Sequence, residues 1–287
     1  MLPVLLAASL AFSPADAHVA YVTASNLVER HTPRDAGTLR GMAAANFILD
    51  SASAQGADVR LDRFTAMTPK GGRTFTNLVS EFRCGDTNAP WIVLMSHYDT
   101  KPGVACPGAN DGASTTGLLV ALAGLLRGNR PSNANVMLLW TDGEECMEAY
   151  DEDDGFWGSR HAAKSLRERG VKVKAAICLD MLGDRDLSVS VPRNSTPSLS
   201  RAVLKAAKAA RLSRRVSQSS TLVKDDHVAF LDAGFPAVDL IDFDYGRAKG
   251  LNDWWHTEHD TIDKISEQSL LTAGRLVVRL LDIVVRQ

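Results

Sequence analysis

Residues 91–100 read WIVLMSHYDT, an apolar run that ends in His97 and Asp99. An apolar run of this length, bounded by polar residues, indicates a buried β-strand. The run VMLLW ends in the same way at residues 141–145 (TDGEE), and AAICL ends at Asp180. Such runs alternate with helical patterns along the chain. This alternation predicts right-handed crossovers and a largely parallel sheet that is covered by helices.

The alternation continues through most of the chain, which favours one α/β domain over residues 18–287. The predicted strands are Val59–Phe64, Phe75–Phe82, Ile92–Met95, Val136–Trp140, Ala175–Leu179 and Ala237–Ile241. The predicted helices are Thr115–Leu126, Ser159–Arg169, Ser198–Ala210 and a C-terminal amphipathic helix with apolar positions from Leu270 to Val284.

The composition is that of an ordinary globular protein. The chain has 287 residues, of which 45% are hydrophobic and 23% charged, and its formal net charge is -2. This balance excludes a disordered chain and a disulfide-dominated miniprotein. It lacks the basic excess that would neutralise a phosphate backbone, so we expect no nucleic-acid partner. We also expect no membrane span, because no later segment approaches the roughly 20 apolar residues that a span needs.

The amino terminus resembles a secretory signal. An apolar run from Leu2 to Phe12 precedes Ala15-Asp16-Ala17, a small-x-small sequence that suits cleavage after Ala17. We therefore expect a signal peptide over residues 1–17 and a periplasmic or secreted enzyme. No Lys or Arg precedes the run, and a buried N-terminal helix is the alternative.

The four cysteines leave two alternatives open. Cys84, Cys106, Cys146 and Cys178 are widely spaced and form no C-x-x-C pair, which argues against a cysteine zinc site. An export compartment would permit up to two disulfides, whereas buried free thiols would suit any compartment.

Acidic residues and histidines gather at the predicted strand ends, where ligand sites of open α/β sheets lie. They are His97, Asp99, Glu144, Glu145 and Asp180, joined by Asp111 in PGANDGAS and by His256 in a loop after the strand AVDLI. Carboxylates about 4 Å apart repel by several kcal/mol, and a divalent cation reverses the sign of that energy. A mixed histidine and carboxylate set favours zinc.

Other polar residues have simpler interpretations. We expect Asp142, Asp184 and Asp186 to be turn or helix-cap residues. His18, His31, His161 and His259 are interpreted as surface or hydrogen-bonded histidines. The acidic run Asp151–Asp154 is interpreted as a solvated loop, with a calcium site as the alternative.

The motifs HYD, GANDGAS, DGEE, LDMLGD, DDHVAF and WHT, in this order, resemble the zinc aminopeptidase and glutaminyl cyclase family from about Val19 to the C-terminus. The resemblance implies a three-layer α/β/α sandwich with a mixed, mostly parallel central sheet. It also implies action on peptide or protein N-termini. Family members either remove a residue or cyclise N-terminal glutamine to pyroglutamate with release of ammonia.

The same resemblance implies Asp111, Glu145 and His256 as zinc ligands. A cyclase would hold one zinc ion. A di-zinc aminopeptidase would bind a second ion through His97 and Asp180, with Asp111 bridging the two.

Several motifs favour the cyclase branch. Four features resemble glutaminyl cyclases: the stretch TPKGGRTFTNLV, the doubled Asp225-Asp226, the loop from Glu145 to His161, and Trp255 before the ligand histidine. One feature departs from them, because Tyr150 replaces a common tryptophan. In a cyclase Glu144 would transfer the protons. The other implied roles are hydrogen bonds from Asp225 and Asp180 that hold Glu144, orientation of His97 by Asp99, and a substrate pocket lined by Trp255 and Tyr150. In an aminopeptidase Glu144 would be the general base for water. A metal-stabilised binding protein is a third hypothesis, disfavoured because such a site needs no spare base.

Overall fold

A mixed sheet forms the centre of the structure, a computed structural model that describes residues 10–129, 133–151 and 153–287. The described residues form eight strands: β1 (Val59–Thr68), β2 (Gly71–Phe82), β3 (Trp91–His97), β4 (Asn135–Thr141), β5 (Val173–Asp180), β6 (Val189–Val191), β7 (Val216–Gln218) and β8 (Ala237–Ile241). Their order in the sheet is β1-β2-β4-β3-β5-β8-β6-β7. The central strands β4, β3, β5 and β8 are parallel, and β1 and β2 pair antiparallel to their neighbours. Strand β6 pairs antiparallel with β8 and parallel with β7.

The central strands are buried on both faces, which explains their continuous apolar runs. In β3, Ile92 and Leu94 pack into the larger core on one face of the sheet. Val93 and Met95, which alternate with them, pack into the core on the other face. Side chains that alternate in a strand point to opposite faces, so each strand contributes to two cores.

Seven α-helices in the described residues cover the two faces: α1 (Pro14–His31), α2 (Leu39–Ala54), α3 (Thr115–Gly128), α4 (Trp157–Glu168), α5 (Pro197–Ala209), α6 (Asp226–Asp232) and α7 (Glu267–Arg286). Helices α1, α2, α3, α5 and α7 contribute to the larger core. Helices α4 and α6 pack on the opposite face. The predicted three-layer α/β/α sandwich is therefore confirmed.

The six predicted strands all form, with ends that differ by up to four residues from the prediction. The four predicted helices also form. The prediction missed the three-residue strands β6 and β7 and the helices α1, α2 and α6. Strands this short leave no run of alternating residues long enough to recognise in the sequence.

The expected cleavage point, Ala17, lies buried in the first turn of α1. Ser13 caps this helix and exchanges hydrogen bonds with Asp16. Residues 1–9 of the expected signal peptide lie outside the described residues, and the signal peptide remains a prediction. Within the described residues, no helix has the length and apolar character needed to cross a membrane.

The four cysteines are free thiols, and three of them, Cys106, Cys146 and Cys178, are buried. Of the two alternatives, disulfides and free thiols, the structure therefore supports free thiols.

Candidate metal centre and active site

Two groups of side chains that could bind a metal, here called the metal-binding groups, meet at the carboxyl ends of the central strands and share one residue. Asp111, Glu145 and His256 form the first group, and His97, Asp111 and Asp180 form the second. Nε2 of His256 lies 2.9 Å from Glu145 Oε1 and 3.3 Å from Asp111 Oδ2. Nε2 of His97 lies 3.0 Å from Asp111 Oδ1 and 3.3 Å from Asp180 Oδ1. Each oxygen of Asp111 therefore belongs to a different group.

These spacings fit a zinc ion. Ligands about 2.1 Å from a tetrahedral zinc lie about 3.4 Å from one another, close to the donor separations in both groups. Both groups combine imidazole nitrogen with carboxylate oxygen, the donor set that suits zinc. The first group contains the three ligands that the family resemblance implies, and the second contains the ligands implied for a second ion.

A kinked turn places Asp111 between the two histidines. The turn spans Ala109–Ser114 and leads into α3, and its backbone leaves helical geometry at Asp111 and Gly112. Gly112 has a φ of 91°. A Cβ atom at this position would lie 3.0 Å from Cε1 of His97 and 3.1 Å from the carbonyl oxygen of Asp99. Only glycine accommodates both the left-handed φ and the close approach of His97.

The segment before this turn is held by a buried cation and a buried anion. Arg34 donates to the carbonyl oxygens of Tyr98 at 2.6 Å, Pro107 at 2.8 Å and Gly108 at 2.6 Å. Asp260 accepts the backbone N–H groups of Asn110 at 2.8 Å and Asp111 at 3.1 Å. Together Arg34 and Asp260 fix the backbone that carries Asp111.

Asp99 fixes the backbone that carries the two adjacent glutamates. Its Oδ1 accepts the N–H of Glu144 and its Oδ2 accepts the N–H of Glu145, each at 3.2 Å. Oδ1 of Asp99 also lies 3.5 Å from Nδ1 of His97, which forms no hydrogen bond in the described residues, so the orientation of this ring by Asp99 stays a prediction. Asp99 thus connects the second metal-binding group with the two glutamates.

The two glutamates face different partners. Glu145 turns toward His256, whereas Glu144 faces the cavity and receives a 3.3 Å hydrogen bond from Tyr150. The same hydroxyl lies 2.7 Å from Oε2 of Glu145. Burial, and after it the charge of Glu145, raises the pKa of Glu144 well above its ordinary value. A carboxyl group with such a raised pKa is suited to hold and release a proton.

Asp180 and Asp225 line the cavity together with Glu144. Asp180 lies 3.3 Å from Nε2 of His97. Asp225 caps α6, where it accepts from the N–H of Asp226 and from the thiol of Cys178 at 3.4 Å. Burial raises the pKa of Asp180 to about 6 and that of Asp225 to about 7. The short hydrogen bonds by which both would hold Glu144 stay a prediction.

An aromatic wall lines one side of the cavity, whose volume is about 250 Å³. The Trp255 ring stacks on His256 with centroids 3.8 Å apart, and Phe243 meets Trp255 edge-on at 5.6 Å. His256 has a φ of 55°, and Met181, next to Asp180, has a φ of 54°. Such strained backbone positions cluster at functional sites, because the surrounding structure must hold them in place.

Comparison with known proteins identifies the family. The sequence matches peptidase family M28 over residues 77–281, which is more than half of the chain. The chain belongs to peptidase family M28.

Three relatives show how this M28 chain compares with proteins of known name. A glutaminyl cyclase crystal structure from an Acidobacteriales bacterium is 34% identical, with a TM-score of 0.89, covering 100% of this chain and 99% of that one. Glutaminyl-peptide cyclotransferase of Drosophila melanogaster is 28% identical over 81% of this chain and 72% of its own length. Aminopeptidase YwaD of Bacillus subtilis is 27% identical over 77% of this chain and 46% of its own length.

Two aspartates near the site of this M28 chain, Asp142 and Asp154, differ from the prediction in their burial and hydrogen bonds. Asp142 is buried and accepts the backbone N–H of Thr76 at 2.7 Å, so it connects β4 to β2 and is no simple turn or cap residue. Asp154, expected in a solvated loop, is buried and accepts the N–H groups of Met147, Glu148 and Ala149 at 2.7 to 3.0 Å. These three backbone donors account for its burial. Asp184 does form a turn, accepting the N–H of Asp186 at 3.3 Å.

The four histidines interpreted as surface or hydrogen-bonded residues lie outside the two metal-binding groups. His161 stacks on Phe64 at 4.0 Å and His31 packs against Phe47 at 5.0 Å. His18 and His259 are exposed.

Sequence reasoning missed three residues that support the site. Arg34 and Asp260 carry no motif of their own, and their partners are backbone atoms distant in sequence. Asp239 had a usable signal, since an aspartate in the middle of the apolar strand AVDLI is rarely buried without a partner.

Proposed function

We propose that this chain is a zinc-dependent glutaminyl-peptide cyclotransferase. It would convert N-terminal glutamine of peptides or proteins to pyroglutamate and release ammonia. The observation that carries the proposal is the 34% identity to a glutaminyl cyclase along the whole chain. The cavity geometry supports it, because Glu144 faces the same space as the metal-binding group but is not part of that group.

Asp111, Glu145 and His256 would hold one zinc ion. When bound, this ion would supply a Lewis acid that polarises the side-chain carbonyl of the substrate glutamine. The protein would hold the backbone of Asp111 through Arg34 and Asp260, and that of Glu145 through Asp99. Ligands fixed in advance lose little entropy when the metal and the substrate bind.

Glu144 would carry the protons of the reaction. The α-amine nitrogen of the substrate attacks its own side-chain carbonyl carbon, and Glu144 accepts a proton from this nitrogen. The new C–N bond closes the ring while the bond to the amide nitrogen breaks. Glu144 then returns the proton to that nitrogen, which leaves as ammonia. The amine and the carbonyl belong to one molecule, so correct positioning supplies much of the rate.

Trp255, Tyr150, Asp180 and Asp225 would bind the substrate residue. The Trp255 wall would contact the methylene groups of glutamine, and the Tyr150 hydroxyl would contact the metal-facing side of the pocket. Asp180 and Asp225 place hydrogen-bond acceptors beside Glu144, where the α-amine of the substrate can enter.

A di-zinc aminopeptidase is the second candidate function. One observation favours it, namely that His97, Asp111 and Asp180 form a second group of donors at zinc-compatible distances. In that reaction Glu144 would be the general base that activates water.

Mass spectrometry of a peptide pool distinguishes the two functions. The zinc-loaded enzyme is incubated with peptides that differ only in an N-terminal glutamine, leucine or alanine. The cyclase predicts loss of one ammonia from the glutamine peptides alone, whereas the aminopeptidase predicts loss of a whole residue. Free amino acids without pyroglutamate would rule out the first proposal. Zinc per chain, measured on the same sample, tests for one ion against two.

We also propose that the enzyme is exported, with residues 1–17 as signal peptide and 18–287 as one catalytic domain. The support is the apolar run and the small-x-small sequence before residue 18. Expression in a bacterial host followed by N-terminal sequencing tests this proposal. A protein that keeps its first residues would favour the alternative of a buried N-terminal helix.

A further inference from the structure

A fully buried carboxyl group lies behind the cavity, in the middle of β8. Asp239 is 0% exposed and is paired in register with Cys178 of β5. An isolated carboxylate in such a place is very costly, so buried aspartates either find a partner or take up a proton. Asp239 is not among the residues that line the cavity.

The partner of Asp239 is a second carboxyl group, that of Asp225. Oδ2 of Asp225 and both oxygens of Asp239 have no conventional hydrogen-bond partner in the described residues. An oxygen of each and the sulfur of Cys178 all lie within 4.8 Å of one another. An ionised carboxylate can only accept hydrogen bonds. A bond between the two groups therefore requires that one of them carries a proton.

The surroundings favour Asp239 as the group that carries this proton. Asp225 accepts from the N–H of Asp226 and the thiol of Cys178, and both bonds stabilise its ionised form. Neither oxygen of Asp239 receives a hydrogen bond from a conventional donor in the described residues. Burial and the charge of Asp225 raise the pKa of Asp239 well above its ordinary value, whereas burial raises that of Asp225 to about 7.

We propose that Asp239 is a neutral carboxylic acid that donates a hydrogen bond to Asp225 and fixes the carboxylate of Asp225 at the cavity wall. Asp239 is thus a positioning residue that acts on the substrate only through Asp225. The role in catalysis rests on the proposed cyclase function, whereas the shared proton does not. A cation held by Cys178, Asp225 and Asp239 is the competing arrangement.

Two substitutions separate a hydrogen-bond donor from a packing role. Asp239→Asn keeps the size of the side chain and an N–H donor, while Asp239→Val removes the donor and suits a β-strand. We expect the Asn variant to keep kcat for cyclisation within about 3-fold of wild type. We expect the Val variant to lower kcat about 10-fold or more with little change in KM, because an interaction that matters in the transition state is lost. Equal losses in both variants overturn the proposal.

Infrared spectroscopy tests the proton without reference to activity. The difference spectrum between wild type and Asp239→Asn should contain the carbonyl-stretch band of one protonated carboxyl group, shifted in deuterated water. This comparison needs only the Asn variant and stands even if the Val variant fails to fold. Absence of the band overturns the proposal, as does loss of a tightly bound metal ion from the Asn variant. A wild-type protein that shows the band but does not cyclise glutamine overturns the cyclase function and leaves the shared proton supported.

Discussion

The two loops that carry the metal-binding carboxylates are held in opposite ways. The Asp111 loop (residues 98–111) is anchored through its carbonyl oxygens by the cation Arg34, with Asp260 on its last N–H groups. The Glu145 loop (residues 142–156) is anchored through its N–H groups by two carboxylates, Asp99 and Asp154. The anchors of the Asp111 loop therefore include a cation, whereas both anchors of the Glu145 loop are carboxylates.

This difference matches the proposed tasks of the two loops. Arg34 interacts with the charge of Asp111, and although burial opposes it, hydrogen bonds from His256 and His97 lower the pKa of Asp111. Asp111 therefore remains a carboxylate, as a metal ligand must. Glu144, on the loop with carboxylate anchors, has its pKa raised by burial and by Glu145. The same sheet edge thus offers a permanent anion on one loop and a proton carrier on the other.

The largest effect should come from the anchor of the Asp111 loop. Arg34→Met leaves several buried carbonyl oxygens without a donor and removes a buried cation, which should cost about 3–5 kcal/mol of unfolding free energy. Urea denaturation measures this cost, and zinc content should fall with it. Arg40→Met, at an exposed position nearby, is the matched control. Equal stability of the two variants would contradict the anchoring role of Arg34.

Replacement of Glu144, the proposed proton carrier on the Glu145 loop, should have a nearly as large effect, on the reaction rate and not on the free energy of unfolding. Glu144→Gln keeps the shape of the side chain and should lower kcat about 10²-fold or more, while zinc remains bound. Steady-state kinetics and metal analysis on one preparation measure both. Glu148→Gln, an exposed glutamate on the same loop, should leave kcat unchanged. An unchanged rate for Glu144→Gln removes this residue from the mechanism.

The carboxylate anchor of the Glu145 loop should matter less than Arg34. Asp154→Asn replaces one of the two oxygens that accept three backbone N–H groups, which should cost about 1–3 kcal/mol of unfolding free energy. Urea denaturation compares it with Asp153→Asn, the exposed neighbour. If Asp154→Asn proves as costly as Arg34→Met, the two loops are not anchored with different strength.

The smallest effect should come from the hydroxyl that connects the two glutamates. Tyr150→Phe removes the hydrogen bonds to Glu145 and Glu144 but keeps the ring. The lost bonds should reduce transition-state stabilisation by about 0.5–1.5 kcal/mol, which lowers kcat/KM roughly 2- to 10-fold. Tyr21→Phe on helix α1 is the control. A larger loss than for Glu144→Gln would place the tyrosine, and not the glutamate, at the chemical step.

Prediction from sequence succeeds where a local pattern causes the structure. The run before His97 is apolar because β3 is buried on both faces, and this causes a pattern that is visible in the sequence. The convergence of His97, Glu145 and Asp180 then follows from the geometry of parallel strands. For this reason both the layers of the fold and the metal-binding residues could be proposed from sequence.

Prediction from sequence fails where the role of a side chain depends on backbone groups that no sequence pattern indicates. Asp154 and Asp142 resemble ordinary loop aspartates in sequence, and only their burial against N–H groups distinguishes them. The expected bonds between Glu144 and the carboxyl groups of Asp225 and Asp180 stay a prediction, because the family resemblance indicates which residues lie near each other but not which atoms are bonded. The groups that lie beside the carboxyl group of Asp225 include Cys178 and Asp239.

The position of Arg34 has a consequence for the modularity of the protein. The match to peptidase family M28 begins at residue 77, yet the cation that holds the Asp111 loop lies upstream, between α1 and α2. A fragment cut to the matched segment would contain every proposed zinc ligand and still lack the support of one of them. The folded unit that supports the site is therefore larger than the segment by which its family is recognised, and it includes the segment between the two N-terminal helices.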